Sequence, residues 1–425
     1  MNLSKLYPLA GKRVAFAATL ASCMSLLTAC GGGDVRNDTG AALKTGVQST
    51  SGTSAMSLPA ASGTSADAGN APATAMTTTA ADASTGVSAT SCAFSAVQAA
   101  VKAALPGQTV AIPAGDCDWG SSQLAIPAGI ALKGAGRDAT ILRRTAPVAA
   151  NTYLVRYDCS NGKQARVSDM TMVGANLKAS EDAGLGLINS CVDFVVTSMK
   201  FTKFVFAGVE VRGGAKQRGV IARSQFISNY NTALHNLGYG VVVFGDGSWP
   251  ALELGSANAV YVEDNYMLGN RHHIAANNGA RYVFRHNTAI ATDLTKDFPQ
   301  VDAHGLSSSP RGTRSWEVYA NQFSAQLTSG RNFAGVGMRG GDGVIFGNSY
   351  TSNIAYPVAL ILEAAGCGTY PVQDQVRHAF IAESDPNAVS SKCEASIARD
   401  REYFLTAMPG YTPYAYPHPL RAVKF

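Results

Sequence analysis

Four stretches of the chain repeat one phrase, in which apolar residues alternate with others and an asparagine closes the run. They are Val260-Tyr-Val-Glu-Asp-Asn265, Tyr282-Val-Phe-Arg-His-Asn287, Trp316-Glu-Val-Tyr-Ala-Asn321 and Val344-Ile-Phe-Gly-Asn348. Period-two alternation predicts a short strand with one face buried. The asparagines lie 22, 34 and 27 residues apart, which predicts a solenoid of stacked strands with turns of unequal length. Aligned on the asparagine, Val260, Val262, Tyr282, Phe284, Trp316, Val318 and Ile345 face the core, and Tyr261, Glu263, Val283, Arg285, Glu317, Tyr319, Val344 and Phe346 face out. Glu263, Arg285 and Tyr319 would then stack about 4.8 Å apart on one outer face. On neighbouring strands, Glu263 and Arg285 also read as a plain surface ion pair. Asn265, Asn287, Asn321 and Asn348 are expected to form an inward amide ladder at one corner, because Asn tolerates left-handed turn geometry and carries both a donor and an acceptor.

Outside these phrases the period changes. Val97, Ala100, Val101 and Ala104 have helical spacing, which predicts a short helix over Ser95–Leu105 capping the amino end of the coil and covering its strand edges. No alternation of strands with amphipathic helices is present, which excludes a doubly wound sheet. After Ser349 the repeat fades. Helical spacing over Ser391–Leu405 predicts a helix within Ser384–Tyr403, and the Pro- and Tyr-rich run from Pro409 to Pro419 is expected to pack along the coil and close its far end. The organisation is therefore a β-helix over 91–360 followed by a packing segment over 361–425.

The amino end is of another kind. Lys5, Lys12 and Arg13 precede an apolar stretch from Val14 to Leu27 that is too short to span a membrane. Residues 30–90 are Gly, Ala, Ser and Thr with almost no large apolar side chains, so they read as a tether rather than a folded unit. Without the three basic residues of the leader, 31 basic residues face 29 acidic ones, so net charge says almost nothing about a partner. The export leader and the lack of a Lys-rich stripe argue against nucleic acid. Beyond Cys23 and Cys30, six cysteines remain, an even number that suggests disulfides in an exported chain. Short loops favour Cys92–Cys117, Cys159–Cys191 and Cys367–Cys393, with the other pairings open. No Cys-x₂-Cys spacing supports a zinc site.

Two resemblances sharpen this picture. Leu27-Thr-Ala-Cys30 resembles a bacterial lipoprotein signal, which implies lipid attachment at Cys30 and, with Gly31 following, an outer-membrane, periplasmic or cell-surface location. An ordinary secretion signal cut near Ala29 is the alternative. Pro106-Gly-Gln-Thr-Val-Ala-Ile112-Pro-Ala-Gly115 and Leu132-Lys-Gly-Ala-Gly136-Arg-Asp-Ala-Thr-Ile-Leu142 resemble the opening turns of right-handed parallel β-helix proteins of the pectate-lyase-like class. The resemblance implies an all-β, single-stranded right-handed parallel β-helix. It does not imply one activity, since that fold carries lyases, hydrolases, esterases and non-catalytic adhesins.

Candidate chemistry concentrates between residues 270 and 317, which hold His272, His273, Arg281, Arg285, His286, Asp302, His304, Arg311, Arg314 and Glu317, four of the chain's seven histidines among them. Several cations brought together would repel unless an anion joined them, and arginine clamps a planar carboxylate through two parallel hydrogen bonds. That points to a monomeric lyase acting on an anionic, uronic-acid-containing polysaccharide by β-elimination. His304 is the expected base, held by Asp302 or by a carboxylate from another coil. Arg311 and Arg314 are the expected carboxylate clamps with Arg281 or Arg285 as substitutes, and His273 or Tyr319 is the expected acid. If His272 and His273 lie in one strand, only one of them lines the groove. Trp249, Tyr261, Glu263, His272, Asp246, Glu253 and Glu317 are the expected substrate contacts.

Members of the resembled class use Ca²⁺ in many cases, but Asp293, Asp297 and Asp302 lack calcium-loop spacing, so no cofactor is expected. Zinc on His272, His273 and His304 is a minor alternative. A glycoside hydrolase would need paired carboxylates such as Asp246 with Glu253 or Asp302 with Glu317. Ala303-His304-Gly305 departs from the Gly-His-Gly of the polygalacturonase type. A binding protein or adhesin would need aromatic platforms such as Trp249 and Tyr261 and no proton-transfer geometry.

Overall fold

A computed structural model describes residues 86–214, 216–306, 309–363, 374–384, 386–390 and 397–424 of the chain. Its strands form three parallel sheets of twelve, ten and nine strands, and between the first and last strands of the coil each strand pairs with the one three places along the chain. The result is a right-handed parallel β-helix with an amino-terminal helix and an irregular tail. Each coil visits the twelve-stranded sheet, then the nine-stranded one, then the ten-stranded one.

Alternation decides which side chains fill the coil. Val260, Val262, Tyr282, Phe284, Trp316, Val318 and Ile345 all lie in the main core cluster, on the side their parity predicts. Rings stack from coil to coil inside, as with Phe201 on Phe226 at 5.1 Å and Phe323 on Tyr350 at 5.2 Å. The helix runs over Phe94–Ala103 and buries Val97, Ala100 and Val101 against the first coil. Cys92–Cys117 ties its start to that coil, and Cys159–Cys191 joins the turns of two successive coils. Cys30, Cys367 and Cys393 lie outside the described residues.

The asparagine ladder is present. Nδ2 of Asn265, Asn287 and Asn321 donates to Oδ1 of the next asparagine at 3.0, 3.1 and 2.9 Å, and Glu383 accepts from Asn348 at the far end. The left-handed residue of each tight turn is the one before the asparagine: Asp264, His286, Ala320 and Gly347 have φ of 54°, 54°, 56° and 64°. The amide thus satisfies backbone groups that the turn exposes, while its neighbour absorbs the strained geometry. A second buried ladder runs at the next corner, through Asn229, Asn270, His273, Gln300 and Asn332.

The coil continues past residue 360. Ala379–Ile381 and Tyr403–Phe404 extend the twelve-stranded sheet, and Asn387–Ser390 extends the ten-stranded one. The helix expected over 384–403 falls partly outside the described residues, and the described parts hold the strand Asn387–Ser390 and a turn leading into Tyr403. The tail does not stop at the far end. It runs back across the outer face of the twelve-stranded sheet: Tyr411 bonds Glu317, the Tyr414 carbonyl accepts from Arg285, the His418 amide donates to Glu263, and the Lys424 carbonyl accepts from Arg166.

Candidate functional site

That tail changes the accessibility of half the expected site. Glu263, Arg285 and Tyr319 do stack in register across neighbouring strands. The tail lies over them, so Tyr261, Glu263, Arg285, Glu317 and Tyr319 are all buried. Arg285 spends its fork on Glu263 at 2.8 Å, the Tyr319 hydroxyl at 2.8 Å and the carbonyls of Tyr414 and Ala415, both at 2.7 Å. Arg421 bonds Glu263 and Asp264 from the tail side. Glu317 accepts from the Tyr411 hydroxyl and the Gly255 amide, and burial pushes its carboxyl up from the ordinary value. These five residues hold the tail and do not meet a ligand in solvent.

The other expected arginines have carboxylates of their own. Arg281 pairs with Glu253 at 2.5 Å. Arg311 makes a bidentate pair with Asp374, both bonds 2.8 Å, and Arg314 pairs with Asp342 at 3.0 Å. Trp249 lies under both, 4.0 Å from Arg311 and 5.0 Å from Arg314. Asp246 accepts from the Ser248 amide in a turn. A cluster of uncompensated cations waiting for an anion is therefore absent among these described residues, because the charges the sequence scatters are neutralised within the fold. His273 points inward, bonded to Asn270 and Gln300, and burial pulls its imidazole down to about 3. It neither donates a proton to a groove nor shares a metal with His272 and His304. His272, one residue away, faces out, as the parity rule requires.

Outward-facing chemistry gathers instead on the ten-stranded sheet, around Asp302. Asp302 lies on Pro299–Ala303 and is wholly buried. Its neighbours across the sheet are small: it pairs with Gly337, which pairs with Ala359. Pro299 lies against Gly337, and longer side chains from the ends of three strands close over Asp302. Arg339 follows Asn332–Met338 and grips Asp302 twice, at 3.0 and 2.5 Å. The same guanidinium donates to Glu363 at 2.5 Å and to Nε2 of His304 at 2.5 Å. His304 lies between the carboxylates, with Nε2 3.4 Å from Asp302 and Nδ1 3.4 Å from Glu363. His272 approaches Asp302 at 3.7 Å from the preceding coil.

Arginine only donates, so Nε2 of His304 is the acceptor and the ring proton sits on Nδ1, towards Glu363. Burial alone would raise the Asp302 carboxyl, but the charge and the hydrogen bonds of Arg339 outweigh it and hold the group well below the ordinary carboxylate range. Glu363 follows the same logic: burial raises it, and Arg339 and His304 bring it below its ordinary value. Burial and the charge of Arg271 drive His272 well down, so it is neutral. The cluster thus holds two carboxylates, one guanidinium and one neutral imidazole, with His304 in the middle. His304 is the member that reaches solvent best, its side chain 17% exposed against 0–10% for Asp302, His272, Arg339 and Glu363.

Of the expected residues, the structure therefore unites His304, Asp302 and His272. The Arg311–Gly312 turn abuts the backbone of His304, with the Thr313 amide donating to the His304 carbonyl at 2.7 Å, but the Arg311 fork is committed to Asp374. The sequence reading missed Arg339 and Glu363. The signal for them was present: His304, Arg339 and Glu363 each follow a core-facing residue at a strand's end, namely Ala303, Met338 and Leu362. Among the described residues no group of three or more His, Cys, Asp or Glu side chains is arranged to hold a metal ion.

No protein-family model matches the chain, and no curated protein matches it. Among solved structures it is similar to an alginate lyase from a Paenibacillus species, at 14% identity and a TM-score of 0.40 over 71% of this chain and 99% of that one. It is similar to a pectin methylesterase from Yersinia enterocolitica, at 15% identity and a TM-score of 0.37 over 72% of this chain and 93% of that one. It is similar also to ORF18 of Geobacillus virus E2, at 14% identity and a TM-score of 0.37 over 70% of this chain, and it spans about half of that protein's length, 55%.

Proposed function

We propose that the protein is a polysaccharide-acting enzyme, and specifically a lyase that cleaves a uronic-acid-containing polymer by β-elimination at His304. One observation carries the reading: a partly exposed imidazole is held between two buried carboxylates and a guanidinium on the outer face of the ten-stranded sheet. A buried charge network of this kind is costly as a structural device alone, and perturbed groups in such networks gather at functional sites.

The resting contacts suggest how the substrate activates the site. The Nε2 lone pair of His304 is occupied by Nη2 of Arg339. For His304 to act as base, that hydrogen bond opens when substrate binds; Arg339, shared between Asp302 and Glu363, stays with its two carboxylates. His304 then takes the C5 proton, the electron pair forms the C4–C5 double bond, and the C4–O4 bond breaks. The leaving O4 is protonated by the imidazolium or by water. Asp302 and Glu363 orient the ring and stabilise its charged form.

A second reading is glycoside hydrolysis, favoured by the pairing of Asp302 and Glu363 about one guanidinium. A screen of acidic and neutral polysaccharides separates the two. β-Elimination yields unsaturated ends that absorb in the ultraviolet, and His304→Ala abolishes that signal. Reducing ends without absorbance would assign hydrolysis, and glycan retained but never shortened would assign a binding protein. For the remainder of the chain we propose residues 30–90 as a tether and Cys30 as a lipid site that holds the enzyme at the outer membrane. Incorporation of labelled palmitate that survives in Cys30→Ala would overturn the second of these.

A further inference from the structure

Three rows of side chains cross the outer face of the ten-stranded sheet, parallel to the coil axis. One of them contains Ile188, Arg212, Phe244 and Asn277 in strand-to-strand register. The ladder continues through the amide of His304, which bonds the Ala276 carbonyl at 3.0 Å, and that of Arg339, which bonds the Ala303 carbonyl at 2.8 Å. Arg212 therefore stands in file with His304, three coils earlier, at about 14 Å for a spacing of about 4.8 Å per coil.

Arg212 is held by a buried carboxylate through Nε and by an aromatic ring. Its Nε donates at 2.5 Å to Glu210, a carboxylate with no exposure. Glu210 is fixed in turn by the Tyr153 hydroxyl at 2.8 Å. The guanidinium lies 4.4 Å from the centre of the Phe244 ring, which sets its plane. With Nε engaged below and one face on the ring, the two terminal nitrogens are left at the solvent edge, where 24% of the side chain is exposed. That edge is the fork that matches a planar carboxylate. Burial of Glu210 and stacking on Phe244 have already ordered the side chain, so little entropy is lost when a ligand docks.

We propose that Arg212 is a second recognition point, which takes the carboxylate of an acidic sugar in the same polymer chain whose scissile unit lies at His304. The proposal rests on the reading of His304 as the reacting centre, and it assigns to that centre a substrate long enough to bridge both points. A neutral polymer of equal length gains only the contact with Phe244.

The test uses the His304→Ala protein, which keeps its ligand intact, and calorimetry with galacturonate and mannuronate oligomers. A disaccharide is too short to span the two points, and a hexasaccharide is long enough. Adding Arg212→Gln is expected to weaken hexauronate binding about tenfold and to leave the disaccharide unchanged, one charge-assisted contact being lost. Arg212→Lys recovers part of the loss, since it restores charge without the fork. Phe244→Leu, which leaves Glu210 paired, gives a smaller loss and serves if Arg212→Gln fails to fold. Equal hexauronate affinities with and without Arg212 overturn the proposal, as does a neutral hexasaccharide bound as tightly, or no binding of either hexauronate. Arg212-dependent binding with no cleavage by the unmodified protein keeps this site and rejects the lyase. Cleavage with no dependence on Arg212 does the reverse.

Discussion

Replacing Arg339 by Gln removes the one cation that holds the Asp302–His304–Glu363 cluster together. Arg339 contacts Asp302 at 3.0 and 2.5 Å, Glu363 at 2.5 Å and His304 at 2.5 Å. Both carboxylates stay in place when it goes, Asp302 with no exposure and Glu363 with 10%. Removing one partner of a buried ion pair costs about 3–5 kcal/mol, because the remaining charge has lost its solvent and its counter-ion together. The two pairs share one guanidinium, so the losses do not add, and we expect a total in that range rather than twice it. The sign of the pH dependence follows from the same geometry. Asp302 and Glu363 are held below their ordinary values, so their contribution is present above the unfolded carboxylate range, about pH 4, and is lost as pH falls through the folded values. In Arg339→Gln the carboxyls titrate higher and escape the penalty by protonation. The gap between the two proteins should therefore be widest near pH 8 and narrow towards about pH 4. Guanidinium unfolding at several pH values reads both quantities. A difference below about 1 kcal/mol that does not change with pH would refute the account of Arg339 as the keystone of a buried charge cluster.

Two further outcomes test the scaffold. Asn287→Ala should cost about 3 kcal/mol in guanidinium unfolding, because it strips the acceptor from the Asn265 amide and side chain and the donor from Asn321, all of them buried. For Glu317, burial raises the carboxyl above its ordinary value, so the folded state prefers the neutral form, and that preference weakens stability as pH climbs through the carboxylate range. Glu317→Gln should therefore gain on the unmodified protein between about pH 4 and about pH 7. A constant difference across that range would contradict the burial of Glu317 beneath the tail.

The parts of the fold written in local pattern were legible. Alternation placed Val260 through Ile345 on the correct side, and spacing gave the capping helix and the corner of asparagines. Both disulfides within the described residues join the cysteines that short loops favoured. What the sequence hid was long-range. The tail that covers Glu263 and Arg285 starts more than a hundred residues after them, and nothing in their own strands marks them as covered. Likewise Arg281, Arg311 and Arg314 find their carboxylates, Glu253, Asp374 and Asp342, in segments 28 to 63 residues away in sequence. The candidate site failed in the same way. His304 and Asp302 stood out by composition, but Arg339 and Glu363 follow strands of the ten-stranded sheet, whose phrases lack the closing asparagine on which the coils were aligned.

The two outer faces of this coil divide the work, and residue size explains how. On the twelve-stranded sheet, consecutive coils present Tyr261, Arg285, Tyr319 and Phe346, large side chains that form a continuous bed for an extended segment. The tail satisfies that bed with its own tyrosines and carbonyls, and the face is closed. On the ten-stranded sheet the row through Asp302 holds Gly337 and Ala359, which offer a covering strand no large side chains to pack on, and Pro299 lies against Gly337 instead. The buried charge draws polar side chains from the strand ends, and His304 among them stays partly wet at its edge. A clash introduced on this face tests the division. Gly337→Val would place a side chain against Pro299, where even a Cβ comes within 2.6 Å, and should disturb Asp302 and His304 while leaving the tail seated. Loss of tail contacts in that variant, read by hydrogen exchange at Tyr414 and Ala415, would show that the two faces are coupled rather than independent.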